Sequence, residues 1–195
     1  MHAPAIMGIT GRSGAGKTTL IERLLTVLGR RGVRVSTIKH AHHGFDIDRP
    51  GKDSWRHRAA GAREVLVASG TRWALLHEAP DEEAESGLPE LIGRMGPADL
   101  ILVEGFRGAM PAAIEVYRPS LSQALPGAPS GALSEDAAGK EPLWPVTPQV
   151  LAVATDDAAL ALPPGIARLD LADAAAIGDF VMARARPWRP GAGAA

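Results

Sequence analysis

The sequence predicts an α/β domain built on a mostly parallel sheet with helices on both faces. Three observations lead there. Short β-type apolar runs alternate with helical stretches through the first half of the chain. The first run, Ala5–Thr10, leads into a glycine-rich turn and then into Leu20, Ile21, Leu24, Leu25 and Leu28 at helical spacing. A later run, Leu100–Glu104, has the length and composition of a strand buried on both faces.

The elements follow in order. The helix after the turn spans Thr18–Arg31, and Gly32 ends it. Val33–Lys39 reads as a second strand and Lys52–Ala62 as a short helix. Val65–Ser69 and Trp73–His77 are two further strands, Leu88–Met95 a helix, and Ala113–Tyr117 a strand. From Pro119 to Pro148 the chain is rich in Pro, Gly, Ser and Ala and loses periodicity, which predicts a flexible surface insertion. Gln149–Thr155 resumes as a strand, Ala167–Leu169 adds an edge strand, and Asp173–Arg184 forms the last helix. On this reading residues 1–186 are one domain, and residues 187–195 form a frayed tail.

Composition narrows the function. The 195 residues suffice for a full core, and no cysteine is present. A disulfide scaffold, a thiolate metal site and a thiol nucleophile are therefore excluded. Lys and Arg total 21 against 22 Asp and Glu, so the basic excess of a nucleic-acid domain is missing. No apolar run has the length of a membrane span, and no signal-peptide pattern opens the chain, so the expected location is the cytoplasm.

The segment Gly11-Arg12-Ser13-Gly14-Ala15-Gly16-Lys17-Thr18 fits G-x-x-x-x-G-K-[ST] in its required setting, after a strand and before a helix. This makes the expected fold a three-layer P-loop NTPase fold. Phosphates need several backbone N–H donors converging on one point, and Gly11, Gly14 and Gly16 permit such a turn. The helix start aims unpaired N–H groups at the anion, and Lys17 adds a point charge. The Thr18 hydroxyl is the expected Mg²⁺ ligand, and Thr19 completes the nucleotide-binding segment. The bland alternative is a glycine-rich turn that happens to precede Lys-Thr.

Carboxylates that could serve the metal come next. Glu104 ends a buried strand, on the side where α/β sheets bind ligands. Asp99 lies roughly 16 Å back along the same strand, at the opposite edge. Glu104 is therefore the candidate for catalysis and for Mg²⁺, against the alternative of an ordinary strand-end glutamate. Asp46 and Asp48 sit in a loop after the second strand. Asp46 is taken as a catalytic and metal-binding candidate, with a solvated turn as the competing reading. His40, His42 and His43 in the same loop lack the spacing of a closed zinc site. Lys52, Arg56, Arg58 and Arg63 read as a solvated helical face in preference to a second anion site. Thr155, which ends the strand 149–155, and Asp156 after it are nucleotide-binding candidates, and a carboxylate at Asp156 or Asp157 could accept from guanine N1–H and its 2-amino group. The competing role is a helix N-cap.

Four segments together resemble one family. They are residues 8–20, Thr37-Ile38-Lys39-His40-Ala41-His42-His43, Asp46-Ile47-Asp48-Arg49-Pro50-Gly51-Lys52-Asp53-Ser54, and Asp99–Phe106. They resemble the molybdopterin-guanine dinucleotide biosynthesis protein B (MobB) family. The match covers most of residues 5–185 apart from the insertion, and the His-rich loop joined to Asp-Arg-Pro-Gly-Lys-Asp-Ser is its most specific part. The resemblance implies a GTP- and Mg²⁺-binding protein with weak GTPase activity. It also implies a homodimer that works beside the MobA-type guanylyltransferase attaching GMP to molybdopterin, with molybdopterin itself a candidate ligand. The rival readings are a P-loop kinase acting on a small molecule and a nucleotide-gated adaptor without turnover.

Overall fold

The computed structural model describes residues 3–41, 45–79, 86–106, 108–119 and 141–188. The chain divides into two compact units, Met1–His40 with Met95–Ala195, and Ala41–Arg94. In chain order the elements are β1 (Ala5–Thr10), α1 (Lys17–Arg30), β2 (Val35–Lys39), α2 (Asp53–Ala59), β3 (Glu64–Ala68), β4 (Trp73–His77), α3 (Leu88–Gly93), β5 (Leu100–Glu104), β6 (Ala113–Val116), β7 (Val150–Thr155), β8 (Ala167–Asp170), α4 (Ala174–Arg184) and β9 (Arg186–Pro187).

The first unit is built on one sheet in the order β2-β5-β1-β6-β7-β8, with every neighbouring pair parallel. On one face α1 and α4 pack together over Met7, Ile9, Leu102, Ile114 and Ala154. Their close approach uses Gly178, where an added Cβ would already touch Leu28. The stripe Leu20, Ile21, Leu24 and Leu28 is buried as its spacing requires. Strand alternation sends Ala113 and Val153 to the other face, where Trp144, Leu160, Leu162 and Ile166 cover them. All six β-strands of this path carry their C-terminal ends to one edge, and the glycine-rich turn after β1 lies there.

The second unit holds α2, α3 and the antiparallel hairpin β3–β4. The two short strands read from the sequence at Val65–Ser69 and Trp73–His77 do not add to the parallel sheet. The link Ser69–Arg72 is too short for that, because parallel strands need a crossover of about a dozen residues or more. The Ser69 N–H donates to the Arg72 carbonyl at 2.8 Å and closes the hairpin.

Two boundaries also differ from expectation. Packed residues are present ahead of Gln149. Leu143 is buried, and Trp144–Val146 form a 3₁₀ turn. The chain also stays anchored through Trp188. β9 pairs antiparallel with Ala5 and Ile6, the part of β1 that β6 leaves unpaired, and the Trp188 N–H donates to the Pro4 carbonyl. Residues 120–140 and 189–195, which hold most of the insertion and of the tail, lie outside the described residues.

Candidate functional site

The turn between β1 and α1 has the conformation its glycines permit. Gly11, Gly14 and Gly16 all have positive φ, at 135°, 75° and 102°. Gly11 is required for a further reason. A Cβ there would stand 2.4 Å from the Val116 carbonyl oxygen on the neighbouring strand. At Gly14 and Gly16 an added Cβ would meet nothing within 4 Å, so these two border open space. Ala15 is buried beneath the turn, while Ser13 and Thr18 face outward.

The start of α1 is prepared for an anion. Gly16 occupies the N-cap position, no side chain caps the helix, and its first turn holds no acidic residue. The leading N–H groups and the dipole are thus left for a ligand. Lys17 folds over the turn, and its Nζ donates to the Arg12 carbonyl at 2.9 Å. The Arg12 guanidinium points away from the turn, with Nε donating to the Glu141 carbonyl at 3.1 Å.

Glu104 pairs in register with Ile9, two residues before the turn begins, and is partly exposed at the ligand edge. Asp99 is confirmed at the opposite edge. It accepts from the Arg34 N–H, Nε and Nη2, and these bonds hold its carboxyl down at about 2. Thr18, exposed at the start of α1, and Glu104, in register with Ile9, carry hard oxygen donors of the kind Mg²⁺ prefers.

His40 is the third feature of this edge. Its N–H donates to the Glu104 carbonyl at 2.8 Å and its ring lies 4.8 Å from that of Phe106. Gly105 between them has no room for a Cβ, which would stand 2.5 Å from the Cβ of His40. His42 and His43 lie outside the described residues, and among the described residues no three His, Asp or Glu side chains cluster as a metal site.

In the second unit Asp46 and Asp48 belong to a network centred on Arg58. The Arg58 guanidinium bonds Asp46, Asp48 and Glu78, and Ser54 Oγ donates to Asp48. The Asp48 N–H, with Arg58, draws the Asp46 carboxyl below its ordinary range. Arg58, expected as part of a solvated face, thus organises the Asp-Arg-Pro-Gly-Lys-Asp-Ser loop. Sequence spacing gave no sign of this, because the three carboxylates come from positions up to 20 residues away.

At the other end of the edge, β7 stops at Thr155. Thr155 is buried and its Oγ1 accepts the Asp157 N–H, so its hydroxyl shapes the turn. Asp157 in turn accepts the Ala159 N–H at 2.8 Å. Asp156 is exposed on this turn, and Arg118 Nε donates to its Oδ2 at 2.8 Å. Arg118, Asp156, Thr19 and Arg23 border a cavity of about 290 Å³ beside the start of α1. Arg118 and Arg23 carry no motif and were not legible as site residues.

A parallel sheet with this glycine turn leading into α1, and an acidic strand end in register beside it, defines the P-loop NTPase fold. The family model described as molybdopterin guanine dinucleotide synthesis protein B matches residues 6–133, and the chain belongs to that family, MobB. A molybdopterin-guanine dinucleotide biosynthesis adapter protein of Escherichia coli (strain K12) is 41% identical over 180 residues, covering 91% of each chain. The protein of the same description from Haemophilus influenzae is 43% identical over 121 residues, or 62% of this chain and 67% of that one. A crystal structure of molybdopterin-guanine biosynthesis protein B superposes with a TM-score of 0.63 at 26% identity, covering 91% of this chain and 97% of the other. Bacillus subtilis MobB gives 0.67 at 22% identity, over 94% and 99%, and supports the fold alone.

Proposed function

We propose that this protein binds GTP with Mg²⁺ on the turn Gly11–Thr18 and acts as an adapter in attaching GMP to molybdopterin, beside a guanylyltransferase. The observation that carries the binding is the uncapped start of α1 facing the open space at Gly14 and Gly16. Backbone N–H groups of the turn hold the β- and γ-phosphates, and Lys17 leaves the Arg12 carbonyl to meet them. Mg²⁺ would be held by Thr18 and Glu104, where it neutralises phosphate charge. The adapter role rests on the descriptions of the relatives.

Turnover is slow on this reading. Fast hydrolysis needs an oriented water and a cation on the developing charge. The one arginine of the turn, Arg12, is held instead at the Glu141 carbonyl. A cation supplied by a partner is worth about 10³- to 10⁵-fold in rate. Incubation with labelled GTP and ATP tests the proposal. Tight GTP binding with slow phosphate release supports it, and acceptor-dependent transfer of the γ-phosphate would replace it with a kinase.

We propose that the second unit supplies a surface for assembly. The face of β3–β4 that carries Leu66, Leu75 and Trp73 is exposed, with Leu66 opposite Leu75 and Ala68 opposite Trp73. Exposed apolar residues on one strand face suit a protein interface, and we assign this face to the homodimer. Sedimentation of a Leu66→Asp/Trp73→Asp variant checks this, since a dimer that persists places the interface elsewhere.

A further inference from the structure

The cavity beside α1 has a position and a chemistry that point to one occupant. It is about 290 Å³, the lower end of the range for small-molecule sites, which suits a ring system better than a whole nucleotide. Leu20 and Leu171 give it apolar walls, and Arg23, Arg118 and Asp156 supply its charged groups. Its wall at Asp156 lies two strands from β1, roughly 10 Å across the sheet. A nucleotide held by its phosphates at the turn after β1 must lay its base along this same edge.

We infer that this cavity takes the purine base, and that Asp156, held by Arg118, selects purines carrying a 2-amino group. The inference rests on the proposed GTP binding. Guanine presents N1–H and the 2-amino group side by side, and a carboxylate offers two acceptor oxygens at matching spacing. Adenine presents a lone pair at N1 and nothing at position 2, so a carboxylate rejects it. Asp156 Oδ2 accepts from Arg118 Nε, while Oδ1 has no protein donor among the described residues. Each oxygen accepts more than one hydrogen bond, so the base can bind without displacing Arg118.

Arg118 is thus a positioning residue. It ties the Asp156 side chain, otherwise loose on a strand-end turn, to the end of β6. Asp156 lines the cavity and Asp157 does not; the Asp157 carboxylate accepts the Ala159 N–H within the turn. Arg23 steadies the opposite wall. Its guanidinium donates to the Leu171 carbonyl at 2.9 Å and to that of Ala172. The competing view makes Arg118 and Asp156 an ordinary surface ion pair that only bridges β6 and β7.

Selectivity separates the two views. Affinities of the full chain for GTP, ITP, XTP, ATP and inorganic tripolyphosphate are measured in the unmodified protein and in Asp156→Asn, Arg118→Ala and Arg118→Lys. ITP lacks only the 2-amino group, and GTP should bind roughly 5- to 150-fold more tightly than ITP. Asp156→Asn should remove that ratio and raise XTP above GTP, because an amide N–H₂ donates to the 2-oxo group of xanthine. Arg118→Ala should bring the GTP/ITP ratio close to one with tripolyphosphate affinity unchanged, and Arg118→Lys should restore part of it. An unchanged ratio in Arg118→Ala, or tighter GTP binding as if an obstruction had been removed, overturns the positioning role. If the unmodified protein binds tripolyphosphate yet treats GTP, ITP and ATP alike, the base assignment fails while the phosphate site stands. If none of these ligands binds, both readings fall.

Discussion

The Glu115 carboxylate accepts the backbone N–H of Leu143 at 2.8 Å, joining positions 28 residues apart. Its second oxygen accepts the Trp144 N–H, also at 2.8 Å. Glu115 is fully buried on the sheet face away from α1, and the Trp144 ring meets Tyr117 edge-on. The return of the insertion is therefore stapled to β6. Glu115→Ala should lower stability by about 1–3 kcal/mol through the Leu143 N–H left buried without an acceptor. Urea unfolding measures this, and a change within a few tenths of a kcal/mol would show the staple to be idle.

The same staple divides the insertion into two parts with different expected behaviour. Deleting residues 121–140 behind a short Gly/Ser bridge should leave GTP affinity and melting temperature nearly unchanged, since closure entropy varies by only about 0.6 kcal/mol per doubling of loop length. Extending the deletion to residue 146 removes Leu143 and Trp144 and should lower the melting temperature clearly. Equal effects of both deletions would contradict the division.

Lys17→Ala should weaken triphosphate binding by about 30- to 5,000-fold, the range for a charged contact to a buried anion worth about 2–5 kcal/mol. Lys17 is half-buried on the turn and outside the hydrophobic core, so the circular dichroism spectrum should not change. Calorimetric titration with GTP gives the result, and wild-type affinity would remove the phosphate-site assignment.

Two glycines of the turn should respond differently to alanine. At Gly11 the new Cβ meets the Val116 carbonyl oxygen and φ is 135°, so Gly11→Ala should destabilise the fold by at least the ~1–3 kcal/mol of a strained backbone. At Gly14 the methyl enters open space, so Gly14→Ala should cost only the ~1–2 kcal/mol of a left-handed residue while reducing GTP affinity. Thermal unfolding and titration together make the comparison. The reverse order of melting temperatures would overturn this account of the turn.

The pair Arg34–Asp99 gives a pH dependence. The folded pKa of Asp99, about 2, lies below its ordinary 3.8. A depressed carboxylate adds stability above the unfolded value and loses it as pH falls from about 4 towards 2. The melting-temperature gap between the unmodified protein and Arg34→Ala should hold at neutral pH and narrow over that interval. An NMR titration should find Asp99 near 2 in the former and near 3.8 in the latter. A gap that does not vary with pH would assign the pair no role in acid stability.

Much of this was legible in the sequence for local reasons. The glycine-rich turn depends on glycines at fixed spacing before a helix, and the strands β1, β4 and β5 match their apolar runs residue for residue. The opposite placement of Glu104 and Asp99 follows from strand rise alone. The family likewise rests on contiguous motifs. What the sequence left open were contacts between distant segments. It could not rank Asp156 against Asp157, because only the folded turn shows Asp157 engaged with Ala159 and Asp156 facing Arg118 across 38 residues. It read Arg58 as solvated, where three carboxylates converge on it. It placed residues 141–148 in the insertion, since a short Pro-rich stretch has no period to betray packing. Periodicity and turn chemistry act over a few residues and are written into the chain. Ion pairs and cavities depend on which strand ends the topology brings together, and only tertiary structure decides that.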